Sequence, residues 1–267
     1  MISYRDFTRA LAELEIQSHS RVILHAAIEP FGEVAGAEES LIGAVVNTCE
    51  LLIAPAFTPQ TMIVPAIGPP DNAMEYGTHD EANLDASIFD LDLPVDQDLG
   101  SVNEMLRLHP KAQRSHHPLL SFVGFNADEA LAAQSLDAPL GPIAWLADYD
   151  GDVLMMGCDQ RANTSLHWGE QLAGRKGFVR WALTTSGVVE CVNMPGCAQG
   201  FERVRGRLGA ITRRTSLNAI VLEAIPVRDL LNMTVGWIRE DPRALLCDRM
   251  GCSHCASVRA DVRPTQD

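Results

Sequence analysis

The segment Asn163-Thr164-Ser165-Leu166-His167-Trp168-Gly169-Glu170 concentrates groups that can move a proton. His167 and Glu170 are three residues apart, a spacing that puts both on one face of a helix. An imidazole beside a carboxylate is oriented and kept basic, which is what a general base requires. Ser or Thr at the start of such a helix caps it, and its first N–H groups can then face a ligand anion. A capped surface helix with a solvated His and Glu has the same spacing, so the pair alone does not fix a function.

Two further polar stretches stand out. Arg114-Ser115-His116-His117-Pro118 offers a guanidinium, a hydroxyl and two imidazoles, or simply a turn that Pro118 ends. The loop from Glu29 to Gly36 contains Gly32 and Gly36 but neither the three-glycine dinucleotide fingerprint nor a P-loop lysine. Its backbone can still approach a phosphate. Near the C-terminus, Cys247, Cys252 and Cys255 have metal-ligand spacing with His254 among them, and Cys197 or Cys191 can supply a fourth ligand. Four soft ligands favour a closed structural zinc site, whereas three reduced thiols in a terminal loop would leave the same pattern. Such a clip should stabilise the fold rather than the reaction. Cys49 and Cys158 sit in apolar contexts, more like core thiols than nucleophiles.

The elements that must position these groups read as α/β. A helix spans Tyr4 to Ile16, a strand Arg21 to Ala27, a helix Glu39 to Thr48 and a strand Leu51 to Phe57. That order is a βαβ unit around a parallel sheet, whose ligands bind at the carboxyl ends of strands, where His25 lies. Residues 58–100, rich in proline and acids, form an irregular insertion. Helices follow at Ser101 to Leu108 and Asp128 to Leu136, strands at Leu119 to Phe125 and Asp152 to Gly157, then the His167 helix and a hairpin over 178–192. Residues 199–235 read as a helix, a strand and a further helix.

Together and in this order, these segments resemble the aminoglycoside 3-N-acetyltransferase family. The stretch from His25 is similar to the family's His-Ser-Ser-Leu strand and glycine-containing loop, and Leu51 to Thr58 to its second strand. Gly100 to Arg107, with Glu104, resembles its Gly…Glu…Arg helix. Arg114 to Pro118 resembles its Arg-Ser-x-His-Pro motif, and Asn163 to Glu170 its Asn-Thr-x-x-His-x-x-Glu motif. The likeness spans roughly residues 4–202. It departs at Ala26 and Ala27, which replace two serines, and at Ala37, where a glycine is usual.

The resemblance implies a mixed sheet flanked by helices, in a single domain over 1–267 with a small β-rich, Cys-containing C-terminal portion in segment 240–267. It implies acetyl transfer from acetyl-CoA to the 3-amino group of an aminoglycoside, an antibiotic-resistance activity. His167 takes the catalytic role, with Glu170 as the nearby acid. The cofactor should lie along His25, Ala26, Ala27, Ile28, Gly32, Val34, Gly36, Arg114, Ser115, Asn163 and Thr164. Asp71, Glu75, Asp96 and Glu170 are the carboxylates expected to receive a polycationic sugar.

Charge supports that substrate class. The 267 residues carry a net charge of −14, which argues against a nucleic-acid partner and suits a cationic one. No apolar run approaches the roughly 20 residues of a membrane helix. Seven cysteines without a signal-like leader fit reduced thiols and a cytoplasmic location. A homodimer is among the expected assemblies. The rival function is a non-catalytic or weakly active zinc-containing binding protein of the same fold.

Overall fold

The computed structural model describes residues 1–77 and 83–262. Its strands in chain order are β1 (Arg21–Ala26), β2 (Leu51–Pro55), β3 (Met62–Ile63), β4 (Gln113–Arg114) and β5 (Phe122–Phe125). These continue as β6 (Asp152–Met156), β7 (Phe178–Thr184), β8 (Gly187–Met194), β9 (Arg213–Leu217) and β10 (Ile220–Pro226). The helices are α1 (Tyr4–Glu13), α2 (Ala37–Thr48), α3 (Ser101–Leu108), α4 (Asp128–Ala132), α5 (Gly141–Asp148), α6 (Ser165–Leu172), α7 (Val227–Glu240) and α8 (Ser253–Asp261).

Seven strands form one mixed sheet in the order β4-β5-β2-β1-β6-β10-β9. Its centre is parallel: β1 pairs with β2 and with β6, His25 lying opposite Met155. These strands are covered on both faces, and so they read as continuous apolar runs rather than alternating ones. Antiparallel strands flank them, β5 on β2 and β10 on β6. Val22, Leu24 and Ala26 face one core, with Phe7, Leu11, Leu41 and Leu106 of α1, α2 and α3. Ile23 faces the other, with Ile143, Leu166, Phe201 and Leu230. His25 alternates with Ala26, so its side chain falls on the α6 and α7 side of the sheet.

A second sheet, β3-β7-β8, builds a smaller core in which Phe178, Cys191 and Met194 pack with Leu246, Cys247, Cys255 and Val258. The segment 58–100 is largely irregular, with short turns at Pro59–Thr61 and Gln97–Leu99; its residues 78–82 lie outside the described ones. Residues 263–267 of the C-terminal segment do so too.

Several elements differ from expectation. The helix starting at Asp128 stops at Ala132, and α5 follows it unannounced because Pro142, Ile143, Leu146 and Ala147 are all buried and show no polar face. Residues 199–235 hold a tight turn-like helix (Phe201–Arg207), the β9–β10 hairpin and α7. Beyond Pro226 the chain is helical rather than stranded among the described residues. No described helix is long and apolar enough to cross a membrane.

Candidate active site

Helix α6 starts just beyond the carboxyl end of β6, after a short turn at Gln160–Ala162. Asn163 builds that start from inside. Its Nδ2 donates to Gln160 Oε1 (2.9 Å), and its Oδ1 accepts the Ser165 N–H (3.2 Å). The N–H groups of Leu166 and His167 donate to the carbonyls of Asn163 and Thr164. The opening amides of α6 from Ser165 to His167 are therefore already used, which removes most of the anion-binding capacity expected there. Gly169 lets α6 lie close on α7, since a Cβ there would stand 2.7 Å from Thr234 Cγ2.

His167 and Glu170 face each other as the spacing requires. His167 Nδ1 lies 2.8 Å from Glu170 Oε2, and both side chains are nearly buried. A carboxylate only accepts, so Nδ1 carries the proton and Nε2 is left as the basic nitrogen. The ring of Phe201 packs on the imidazole with centroids 4.6 Å apart. Sequence reasoning did not find what stands behind the pair: Arg175 Nη1 donates to Glu170 Oε1 at 2.5 Å. The same guanidinium donates from Nη2 to the carbonyls of Pro242 (3.0 Å) and Ala244 (2.7 Å).

His167 opens into a cleft of about 710 Å³ at the carboxyl ends of β1, β2 and β6. His25, Ala26, Ala27 and Thr164 line it, as do the carboxylates Glu29, Asp98 and Asp159 and the guanidinium of Arg161. Burial holds His25 neutral, pushing its imidazole down to about 3, and its Nε2 has no hydrogen-bond partner. Cys158 also borders the cleft, but burial pushes its thiol up to about 12, so it is not a nucleophile at neutral pH.

Other expected residues lie elsewhere. Beyond Ala27 the chain turns at Glu29–Phe31; Ile28 and Val34 then pack on the α1–α2 core, and Val34 bridges to Ile2. Gly32 and Gly36 adopt positive φ (67° and 76°) and shape that turn without lining the cleft. Arg114 spends its donors on Ser121 Oγ and on the carbonyls of Ala56, Leu91 and Leu93, so it straps the 91–93 loop to the sheet. Ser115 Oγ donates to Gln134 and accepts from the Phe122 N–H. Both border a separate cavity of about 680 Å³ that contains no part of the His167–Glu170 pair. That second cavity is similar in size, but among the described residues only the His167 cleft is bordered by an imidazole hydrogen-bonded to a carboxylate.

The acids divide in the same way. Asp71 and Glu75 are exposed and line no part of the cleft, and the Asp96 carboxylate accepts the Asp98 N–H (3.1 Å). Asp98, two residues on, borders the cleft.

The cysteines converge. The thiol sulfurs of Cys197, Cys247, Cys252 and Cys255 all lie within 4.8 Å of one another. Backbone N–H groups of Gln199 and Cys247 point at the sulfurs of Cys197 and Cys255 (3.4 Å each). Cys191 is buried in the small core, and His254 Nε2 is taken by Arg180 (2.9 Å); neither joins the group. The donor set and its compactness suit a tetrahedral ion with soft ligands.

Comparison with known proteins identifies the architecture. The family model described as Aminoglycoside 3-N-acetyltransferase matches residues 23–239. Aminoglycoside N(3)-acetyltransferase IX of Micromonospora chalcea is 31% identical over 240 residues, covering 85% of this chain and 81% of its own. Among solved structures, the apoenzyme of aminoglycoside acetyltransferase AAC(3)-IVa superposes with a TM-score of 0.75 at 20% identity, covering 98% of each chain. AAC-IIIb in a binary complex with CoASH gives 0.72 at 21% identity, covering 89% of this chain and 96% of that one.

Proposed function

The chain belongs to the aminoglycoside 3-N-acetyltransferase family, and from that premise we propose that it transfers the acetyl group of acetyl-CoA to the 3-amino group of an aminoglycoside, an activity that confers antibiotic resistance. The His167–Glu170 pair at the cleft is the observation that carries the proposal. His167 Nε2 takes a proton from the attacking amine while Glu170 holds Nδ1–H. The amine nitrogen forms a bond to the thioester carbonyl carbon, the carbon–sulfur bond breaks, and the proton passes on to the departing CoA thiolate. His25, Ala27 and Thr164 line the path we assign to the thioester end of the cofactor, and AAC-IIIb, a relative in fold, binds CoASH. Glu29, Asp98 and Asp159 are the carboxylates we assign to the cationic sugar, in a field made attractive by the net charge of −14.

The same reading holds a structural zinc on Cys197, Cys247, Cys252 and Cys255, away from the reacting atoms. It takes the chain as one domain over 1–267, acting as a cytoplasmic homodimer; seven free cysteines fit a reducing compartment.

Purified protein mixed with acetyl-CoA, a thiol reagent and a panel of aminoglycosides should release free thiol only when an aminoglycoside is present. His167→Ala should lower that turnover by about 10²-fold or more with CoA binding nearly intact. No thiol release with any aminoglycoside would overturn the proposal in favour of a zinc-containing binding protein; normal turnover in His167→Ala would move the base elsewhere.

A further inference from the structure

Resting on that reading, we propose that Arg175 is a positioning residue for the catalytic pair: its guanidinium holds Glu170 aimed at His167, and fixes both to the segment that carries the thiol cluster. Arg175 lies five residues beyond Glu170, past the end of α6, and its side chain is only 5% exposed. One amino group meets Glu170 Oε1 at 2.5 Å while Glu170 Oε2 holds His167. The other bridges the carbonyls of Pro242 and Ala244, in the turn between α7 and Cys247. A void of about 10 Å³ is lined jointly by Glu170, Arg175, Cys197, His254 and Cys255, so Glu170 and two of the clustered cysteines share a wall.

The chemistry follows from which group holds the proton. With Arg175 charged, the carboxylate between it and the ring is balanced, and the ring stays neutral with its proton on Nδ1. Without Arg175, the buried carboxylate has no cation and the pair takes up a proton more readily, as a unit. If the proton settles on the ring, Nε2 is no longer a base. If it settles on Glu170, the acid donates to Nδ1 and forces the proton of the ring onto Nε2, which again removes the base. Among the described residues, the other titratable groups around the pair are His25, Glu29, Asp98, Cys158, Asp159 and Arg161 in the cleft, with Lys176, Cys197, His254 and Cys255 behind it. None of them replaces a guanidinium that contacts Glu170 directly.

The test compares Arg175→Met and Arg175→Lys with the unaltered protein. In Arg175→Met, turnover should fall about 10- to 100-fold, the scale of losing an orienting partner one step from the reacting atoms. KM for acetyl-CoA should change little, and the acid limb of the pH–rate profile should move to higher pH. Arg175→Lys keeps the charge but not the fork, so it should hold the limb near its original position with turnover partly restored. Added guanidinium ion should rescue Arg175→Met and not the unaltered enzyme. Imidazole ¹⁵N spectra of His167 need no substrate, and should show the Nδ1–H form at neutral pH giving way in Arg175→Met. Unchanged spectra with a lowered Tm alone would overturn the proposal and make Arg175 a purely structural residue. A chain that transfers no acetyl group yet loses the Nδ1–H form in Arg175→Met would sink the acetyltransferase reading and leave the positioning role standing.

Discussion

Ala26 and Ala27 adjoin at the end of β1, yet their methyl groups meet different surroundings. Both border the cleft, but Ala26 is only 6% exposed and packs in the core with Leu24 and Met156, whereas Ala27 is half-buried. Ala27→Ser should therefore tighten CoA binding by about 0.5–1.5 kcal/mol, the net worth of one hydrogen bond. Ala26→Ser should gain less, because most of that side chain packs in an apolar core. Calorimetric titration of both variants with CoA checks this; equal gains would mean that both positions face the cofactor. Sequence alone treats the two alanines alike, because the alternation that separates them depends on where the strand ends. His167 and Glu170 were readable because their contact is local, three residues on one helix. Arg175 was not, since it lies beyond the helix end and its anchors at 242 and 244 are distant in sequence. Asp71, Glu75 and Asp96 stand out by charge alone, and in an irregular segment no periodicity says which carboxylate borders the cleft; Asp98 does.

At the scale of elements, the strand-rich centre was readable and the parts around it less so. β1, β2 and β6 announce themselves as buried apolar runs. The β9–β10 hairpin turns at Asn218, which has a positive φ of 54°, but without the glycine that usually marks such a turn. The thiol cluster joins three elements that pattern reading treats separately: the stretch after β8, the turn after α7 and the start of α8. Such a clip closes a long loop and should act on stability. Purified protein should carry about one zinc per chain. Chelation should lower Tm, while acetyl transfer measured below the new Tm persists. Loss of activity ahead of stability would instead indicate a metal in the reaction, and protein free of zinc when purified without chelator would rule the ion out.

For the whole molecule, the fold buries two neutral imidazoles, His25 at the end of β1 and His117 in the loop between β4 and β5. Burial pushes His25 down to about 3 and His117 down to about 4, the latter while its Nδ1 accepts the N–H groups of Leu119 and Leu120. In the unfolded chain both take a proton near pH 6.5. The unfolded state thus binds more protons as pH falls from about 6.5 towards 4, and folding stability drops across that window. The slope should approach two protons near pH 5, about 2.7 kcal/mol per pH unit. Urea denaturation at a series of pH values measures it, and His117→Asn, which can still accept a backbone N–H, should roughly halve it. A flat profile between pH 6.5 and 4.5 would mean that neither imidazole is held neutral. The thiol cluster has a different consequence for the molecule as a whole. Cys197 and Cys252 are only partly covered, so a soft electrophile or an oxidant can reach the clip without entering the cleft. Damage there would not compete with antibiotic or cofactor; it would shorten the lifetime of the folded protein, so resistance would fade through loss of the enzyme rather than through occupancy of its site.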